Sequence, residues 1–175
     1  MILKHDWEFN VLDVYNYKKP GEKLGFFDYI IENHNTVDGD ICEAGVFNGS
    51  SLLATGMLLK ELNSDKKVYG FDTFEGFPSV HEKDGSSENA FVNSMAVTEE
   101  YEKYLEQILA YHETESPISH IKKYDLIKGD AITKVEEYLA QHKETIIAFA
   151  YLDFDIYEPT KAVLHLIKDR LTKGS

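Results

Sequence analysis

Short apolar segments alternate with segments of helical periodicity along most of this sequence, and this alternation limits the folds open to it. The predicted strands are 41–46, 67–72, 124–127 and 145–152. The predicted helices are 22–33, 52–62, 99–112, 131–142 and 159–171. Strands that alternate with helices form parallel sheets with right-handed crossovers. We therefore predict an α/β fold with a mostly parallel sheet, and the apolar run 145–152 is typical of a strand covered on both faces.

Acidic residues stand at the ends of several predicted strands. They are Asp72, Asp130, Asp153 and Asp155. In open α/β sheets, ligands bind in the crevice beyond the carboxyl ends of the strands. These four side chains are therefore expected to converge on one crevice, which makes that crevice the predicted site.

The segment 43–51, between the first predicted strand and the next helix, has the composition of a ligand-binding turn. Gly45 and Gly49 would let the backbone approach a ligand closely. The following helix presents free N–H groups and a positive dipole end, which favour a carboxylate or phosphate. The dinucleotide fingerprint is not met, because the middle glycine is missing, and no Gly-Lys-Ser/Thr follows as in a P-loop. A tight turn without a ligand remains the alternative.

The segment 70–78 places an acid, Asp72, at the end of the second predicted strand. A carboxylate in this position can accept hydrogen bonds from both hydroxyls of a ribose. The alternative is an aspartate that only caps its own loop.

Three stretches, in this order, resemble the macrocin O-methyltransferase family of sugar-modifying enzymes: residues 43–51, 71–78 and 152–160. The family typically shows E-x-G-V-x-x-G-G, then D-S-F-E-G-L-P, then L-D-x-D-x-Y-E-S-T. This sequence has Ser50 where the second glycine is usual and Thr73 where serine is usual. The resemblance covers roughly residues 37–174.

The resemblance implies a Rossmann-like class I methyltransferase fold, a three-layer sandwich that binds S-adenosylmethionine. Residues 1–36 would form an N-terminal helical lead-in, and residues 37–175 the cofactor-binding domain. The methionine end of the cofactor would contact Glu43, Ala44, Gly45, Val46, Phe47, Asn48 and Ser51. The adenosine end would contact Asp72 and Thr73 at the ribose, and Phe74, Asp130 and Ala131 at the adenine.

By the same resemblance, Asp153 would contact the cofactor, bind a divalent metal, magnesium, and serve as the catalytic base. Oxygen ligands suit a hard cation. The metal would lower the pKa of the acceptor hydroxyl and align it with the methyl group. The implied reaction is methyl transfer to a hydroxyl of a sugar or a glycosylated small molecule. The alternative is an aspartate that ends a strand and caps the next helix.

The family pattern continues where this sequence stops, at Ser175. The resemblance leads one to expect a fifth strand there, with an acidic pair that supplies the other metal ligands. We therefore expect a fold truncated after the fourth strand and its helix. The resulting sheet edge would be exposed unless another subunit of a homo-oligomer covers it.

The charge composition of the chain limits the classes of partner that it is expected to bind. The chain has 18 basic and 31 acidic residues, for a net charge of −13. Since duplex binding depends on Lys and Arg at phosphates, this argues against nucleic acid and anionic membranes and leaves a small-molecule acceptor. No apolar segment reaches the length of a membrane span and no signal peptide is recognisable, so we expect a cytoplasmic protein. The lone Cys42 is expected to be a small buried side chain.

Other functions stay open at this point. A catechol-type O-methyltransferase also places an aspartate after the fourth strand. A nucleotide- or NAD-binding oxidoreductase is a different class, which the missing glycine disfavours. A non-catalytic remnant of the methyltransferase fold is a third. The polar segment 79–97 is expected to be a mobile lid that shapes acceptor specificity.

Overall fold

The computed structural model describes residues 20–86 and 89–175. The helices are α1 Pro20–Asn33, α2 Ser50–Glu61, α3 Tyr101–Thr114, α4 Ala131–Gln141 and α5 Tyr157–Ile167. The strands are β1 Asp40–Ala44, β2 Val68–Asp72, β3 Tyr124–Lys128 and β4 Ile147–Leu152. Every predicted helix and strand is present. The part of the predicted lead-in before residue 20 lies outside the described residues.

The four strands form one parallel sheet in the order β3-β2-β1-β4. The chain moves outward from β1 to β3 and then returns to place β4 on the other side of β1. Because parallel crossovers are right-handed, this reversal sends the later helices to the opposite face. Helices α2 and α3 therefore pack on one face and α4 and α5 on the other. The predicted α/β three-layer fold is confirmed, and the direction of winding changes between β1 and β4.

Both faces of the central strands are buried, which explains their nearly continuous apolar sequence. In β1, Ile41 packs toward α2 and α3, whereas Cys42 and Ala44 pack toward α4 and α5. Cys42 is only 2% exposed, and burial followed by the charge of Glu43 raises the pKa of its thiol to about 12. The prediction of a small buried side chain at Cys42 is confirmed.

Strand β4 is less covered than its sequence predicted. Only Ile147 and Ala148 are buried, and the rest of the strand is half-buried. The reason is its place in the sheet, because within the described ranges its outer edge carries a single parallel bridge, from Ile147 to Leu171. The prediction that the apolar run 145–152 is covered on both faces is therefore wrong for most of β4.

Helices α2 and α5 each begin two residues before the predicted start. Helix α2 begins at Ser50, and its N-cap is Gly49 with a left-handed φ of 79°. Helix α5 begins at Tyr157, so Pro159 lies within the first turn, where its missing N–H leaves no helical hydrogen bond unmade. Within the described ranges, no helix combines the length and apolar character needed to cross a membrane.

Candidate functional site

A cavity of about 290 Å³ opens at the carboxyl ends of the strands, around the point where the winding reverses. From the turn after β1 it is lined by Gly45, Val46, Phe47, Asn48 and Ser51. From the turns after β2, β3 and β4 it is lined by Asp72, Thr73, Asp130, Ala131 and Asp153. These ten were all expected from the sequence at the site. The spatial condition for a shared ligand site is therefore met, because Gly45, Asp72 and Asp153 face one space.

The turn after β1 is fixed on both sides by backbone contacts. Gly45 donates to the carbonyl of Phe71 at 2.9 Å, and Asp153 donates to the carbonyl of Ala44 at 2.9 Å. Gly45 has a φ of +94°, and a Cβ on it would lie 2.3 Å from the carbonyl oxygen of Asp153. Only glycine fits such an approach, so Gly45 lets the turns after β1 and β4 meet at one wall of the cavity.

Glu43 lies beneath this turn and not on the cavity wall. It is completely buried, and the hydroxyl of Ser51 donates to its Oε1 at 2.6 Å. Its carboxylate thereby ties strand β1 to the first turn of α2.

Asp72 joins the turn after β1 to the loop after β2. Its Oδ2 accepts from the N–H of Phe47 at 2.8 Å, and its Oδ1 accepts from the N–H of Phe74 at 2.6 Å. Both phenylalanines are left-handed, with φ values of 51° and 58°. That conformation is uncommon for a bulky residue and often marks functional sites. Burial raises the pKa of Asp72, and these hydrogen bonds work against the rise.

Asp130 has a clear structural task as well as a place on the wall. Its Oδ1 accepts from the N–H groups of Ile132 at 2.9 Å and Thr133 at 3.3 Å. It is therefore the N-cap of α4, a position that aspartate favours. The same cap holds Ala131 at the cavity edge.

Two other residues expected at the cofactor are not on the cavity wall. Ala44 is 0% exposed within the sheet, and Phe74 is 3% exposed in the core beside α2 and α3. Phe74 contributes its backbone to the site, through the N–H that Asp72 accepts.

Asp153 is exposed at the mouth of the cavity, and Asp155 lines the same wall in a left-handed conformation. In the part of the chain that the structure describes, no group of three or more His, Cys, Asp or Glu side chains could hold a metal ion. The donors around Asp153 therefore do not fit a complete magnesium site.

Ten further residues line the cavity, and of these only Asp155 was expected at the site by name. They are Ser50, Gly76, Phe77, Pro78, Met95, Tyr151, Phe154, Asp155, Ile156 and Pro159. Most lie next to residues that were singled out, so their position after a strand was a usable signal. Met95 follows no strand, but it lies in the segment 79–97 that was expected to shape acceptor specificity, and long-range packing brings it to the wall. Gly76 allows this packing, since a Cβ on it would lie 2.4 Å from the carbonyl oxygen of Ser94.

The expected lid, 79–97, is described except for residues 87 and 88. It returns to the cavity wall through two backbone hydrogen bonds, from Phe77 to the carbonyl of Ser94 at 3.0 Å and from Asn93 to the carbonyl of Phe77 at 2.9 Å. Its mobility and its effect on specificity stay predictions.

The charge of the cavity has one sign. Four aspartates line it, and the residues described around it include no Lys, Arg or His. A cleft lined by one sign of charge attracts ligands of the opposite sign. The cavity therefore suits a cationic ligand.

Comparison with known proteins agrees with the motifs. The family model for macrocin-O-methyltransferase (TylF) matches residues 26–175. A crystal structure of CalS11, calicheamicin methyltransferase, has a TM-score of 0.86 and 36% identity over 95% of this chain and 66% of that chain. An apo structure of CalS11, described as a TDP-rhamnose 3'-O-methyltransferase of calicheamicin biosynthesis, has a TM-score of 0.73 and 31% identity over 97% of this chain and 66% of that chain.

A more distant structure, the O-methyltransferase NovP, has a TM-score of 0.54 and 21% identity over 88% of this chain and 60% of that chain, and supports the fold alone. The chain thus spans about 66% of the length of the CalS11 chains that it matches. No curated protein sequence matched it.

Proposed function

The chain belongs to the macrocin-O-methyltransferase family, and we propose that it takes part in S-adenosylmethionine-dependent methyl transfer to a hydroxyl of a sugar or a glycosylated small molecule. The observation that carries this proposal is the single cavity shared by Gly45, Asp72 and Asp153. The two CalS11 structures support a sugar acceptor, since one is described as acting on TDP-rhamnose.

The residues after β1 and β2 suit the cofactor. The positive end of the α2 dipole favours the carboxylate of a methionine moiety, and Asn48 and Ser51 lie at this end of the helix on the cavity wall. Asp72 lines the cavity at the end of β2, and in this proposal its carboxylate accepts the ribose hydroxyls. Asp130 and Ala131 would flank the adenine. When bound, S-adenosylmethionine supplies a methyl group on a cationic sulfur, which the anionic cavity favours.

The residues after β4 suit the acceptor. Asp153 is exposed at the mouth of the cavity. In the proposed reaction its carboxylate accepts the proton of the acceptor hydroxyl while the oxygen takes the methyl group. Phe77, Phe154 and Pro159 offer apolar surface on the same side. Apolar surface and a few polar groups are the usual lining of a small-molecule site.

Magnesium is a prediction from the family resemblance alone. Since the described donors around Asp153 do not form a set of three, no step of this proposal passes through a metal. The small-molecule acceptor, a cytoplasmic location and a homo-oligomer likewise stay predictions.

The proposal is tested first by ligand binding. Titration calorimetry with S-adenosylhomocysteine should give saturable binding, and thermal shift should give stabilisation, because a ligand that binds the folded state raises its apparent stability. NAD serves as the comparison ligand for the oxidoreductase alternative. Stabilisation by NAD and not by S-adenosylhomocysteine would overturn the proposal.

Chemistry is tested separately with S-adenosylmethionine and TDP-rhamnose. Asp153→Asn should keep S-adenosylhomocysteine affinity within about threefold and lower methyl transfer by about 10²–10⁴-fold, the usual contribution of a general base. Asp169→Asn, an exposed aspartate after α5, is the matched control. Equal activity in Asp153→Asn and the control would remove Asp153 from the proposed mechanism.

A further inference from the structure

A short 3₁₀ turn, Glu82–Asp84, lies against the start of α5 although 73 residues separate the two in sequence. Asp84 makes the central contact. Its Oδ1 accepts from the backbone N–H of Tyr157 at 2.6 Å, and its Oδ2 accepts from the N–H of His81 at 2.6 Å. One carboxylate therefore connects its own turn to the first residue of the helix.

The residue at the N-cap position of helix α5 supplies no side-chain cap, so the contact from Asp84 satisfies an N–H group that the N-cap residue does not. The N-cap position is Ile156, which makes no side-chain cap hydrogen bond. The first N–H groups of a helix have no partner within the helix. An aspartate there satisfies one of them and also places a negative charge at the positive end of the helix dipole. Asp84 thus does from a distant segment what an N-cap side chain usually does locally.

Two neighbours of Asp84 also contact the first turn of α5. Lys83 Nζ donates to the hydroxyl of Tyr157 at 3.0 Å and lies 4.2 Å from the centre of its ring. His81 Nε2 lies 3.6 Å from Glu158 Oε1, and its ring is 5.3 Å from that of Tyr157. These independent contacts fix both the position and the orientation of the 3₁₀ turn.

The contact joins two walls of the cavity. Pro78, just before the 3₁₀ turn, lines one wall, and Ile156 and Pro159 at the start of α5 line another. Between β4 and α5 lies the segment 153–156, which carries Asp153 and Asp155. This segment has α5 at one end and the hydrogen bond from Asp153 to the carbonyl of Ala44 at the other. Whatever positions the start of α5 therefore positions the acceptor side of the cavity.

We propose that Asp84 is a positioning residue that caps α5 from outside and thereby sets the place of segment 153–156 on the acceptor side. The reference to an acceptor rests on the proposed function, but the positioning itself does not. The cofactor side should change less, because Gly45 donates to Phe71 of β2 and Asp72 is held by the backbone N–H groups of Phe47 and Phe74. Loss of Asp84 should therefore disturb mainly one side of the cavity.

The test compares Asp84→Ala, Asp84→Asn and the control Glu82→Ala, an exposed acid of the same turn. Amide exchange and amide shifts are followed by NMR on the full chain. In Asp84→Ala, exchange at Tyr157 should be about tenfold faster or more, as expected for loss of a hydrogen bond to a charged group. Amide shifts of 153–156 should move while those of 45–49 stay. Asp84→Asn keeps one oxygen acceptor and should be intermediate, which keeps the test valid if the alanine variant does not fold.

Ligand affinity and enzyme kinetics give a second, separate test of the role of Asp84. Affinity for S-adenosylhomocysteine should stay within about twofold in Asp84→Asn, whereas the KM for TDP-rhamnose should rise more than the KM for S-adenosylmethionine. Unchanged exchange at Tyr157 in both Asp84 variants would overturn the proposal, and so would equal shift changes at 45–49 and 153–156. If the unmodified chain does not bind S-adenosylhomocysteine, the proposed function fails, and the exchange and shift data still decide the role of Asp84.

Discussion

Replacement of Gly45 with alanine should both destabilise the fold and distort the cavity. The new Cβ would lie 2.3 Å from the carbonyl oxygen and 2.6 Å from the carbonyl carbon of Asp153, both backbone atoms that cannot rotate away. The left-handed φ of +94° adds strain of about 1–3 kcal/mol. Displacing the packed neighbour adds about 1–3 kcal/mol. The expected loss of stability is the sum, about 2–6 kcal/mol.

Substitutions at two other glycines separate the cost of backbone strain from the cost of displacing a packed neighbour. Gly85 has a φ of +71° but no atom within 4 Å of the place that an alanine Cβ would take, so Gly85→Ala should show the strain alone. Gly25 lies in α1 with no neighbour within 4 Å and no left-handed φ, so Gly25→Ala should be neutral or stabilising by up to about 1 kcal/mol. The assay is urea unfolding followed by circular dichroism. Gly25→Ala should be the most stable variant, Gly85→Ala should be intermediate, and Gly45→Ala should be the least stable.

Ligand binding gives the second half of this test. Since Gly45 brings the turn after β1 against the turn after β4, Gly45→Ala should also weaken S-adenosylhomocysteine binding, whereas Gly85→Ala and Gly25→Ala should not. A stability of Gly45→Ala within about 0.5 kcal/mol of Gly85→Ala would refute the close approach to Asp153, because both glycines have a positive φ and, of the two, only Gly45 has atoms at the place of the new Cβ.

Three further predictions concern other parts of the molecule. Cys42 should resist alkylation in the folded protein and react on unfolding, since it is 2% exposed and its pKa is raised to about 12; reaction at the rate of a free thiol without denaturant would contradict this. Lys123 pairs with Glu113 at side-chain exposures of 6% and 14%, so Lys123→Met should cost about 3–5 kcal/mol in urea unfolding, whereas Lys122→Met at 54% exposure should cost under about 1 kcal/mol. Hydrogen bonds from His81 and Tyr157 lower the pKa of Asp84, so its contact with α5 should be complete above the ordinary value of 3.8 and lost as pH falls through the lowered value, as followed by the carboxyl carbon shift.

The elements of the fold could be predicted because each has a local cause. Alternating apolar and amphipathic segments locate the strands and helices within two residues in nearly every case. The exception is the end of α5, which was predicted at residue 171 but lies at Ile167, because a 3₁₀ turn, Lys168–Arg170, follows it. The apolar Leu171, just after this turn, lies at helical spacing from Ile167, so periodicity alone did not separate the turn from the helix.

The convergence of the site could also be predicted, but the task of each side chain could not. Position after a strand correctly placed Asp72, Asp130 and Asp153 at one cavity. Sequence does not say whether such a carboxylate faces a ligand or holds its own loop. Asp72 and Asp130 both hold their own loops, since both accept hydrogen bonds from backbone N–H groups. Both side chains also line the cavity.

This double role explains why one side of the cavity is more predictable than the other. The cofactor side is built from backbone held by nearby residues, such as Gly45 and Asp72, so a short motif contains most of its determinants. The proposed acceptor side includes Met95, which long-range packing brings to the wall, and by our proposal it depends on the contact between Asp84 and Tyr157 across 73 residues. Substitutions distant from the motifs can therefore alter the acceptor side while the cofactor side is unchanged. Acceptor preference should accordingly follow the segment 76–95 and the start of α5, and not the glycine-containing turn.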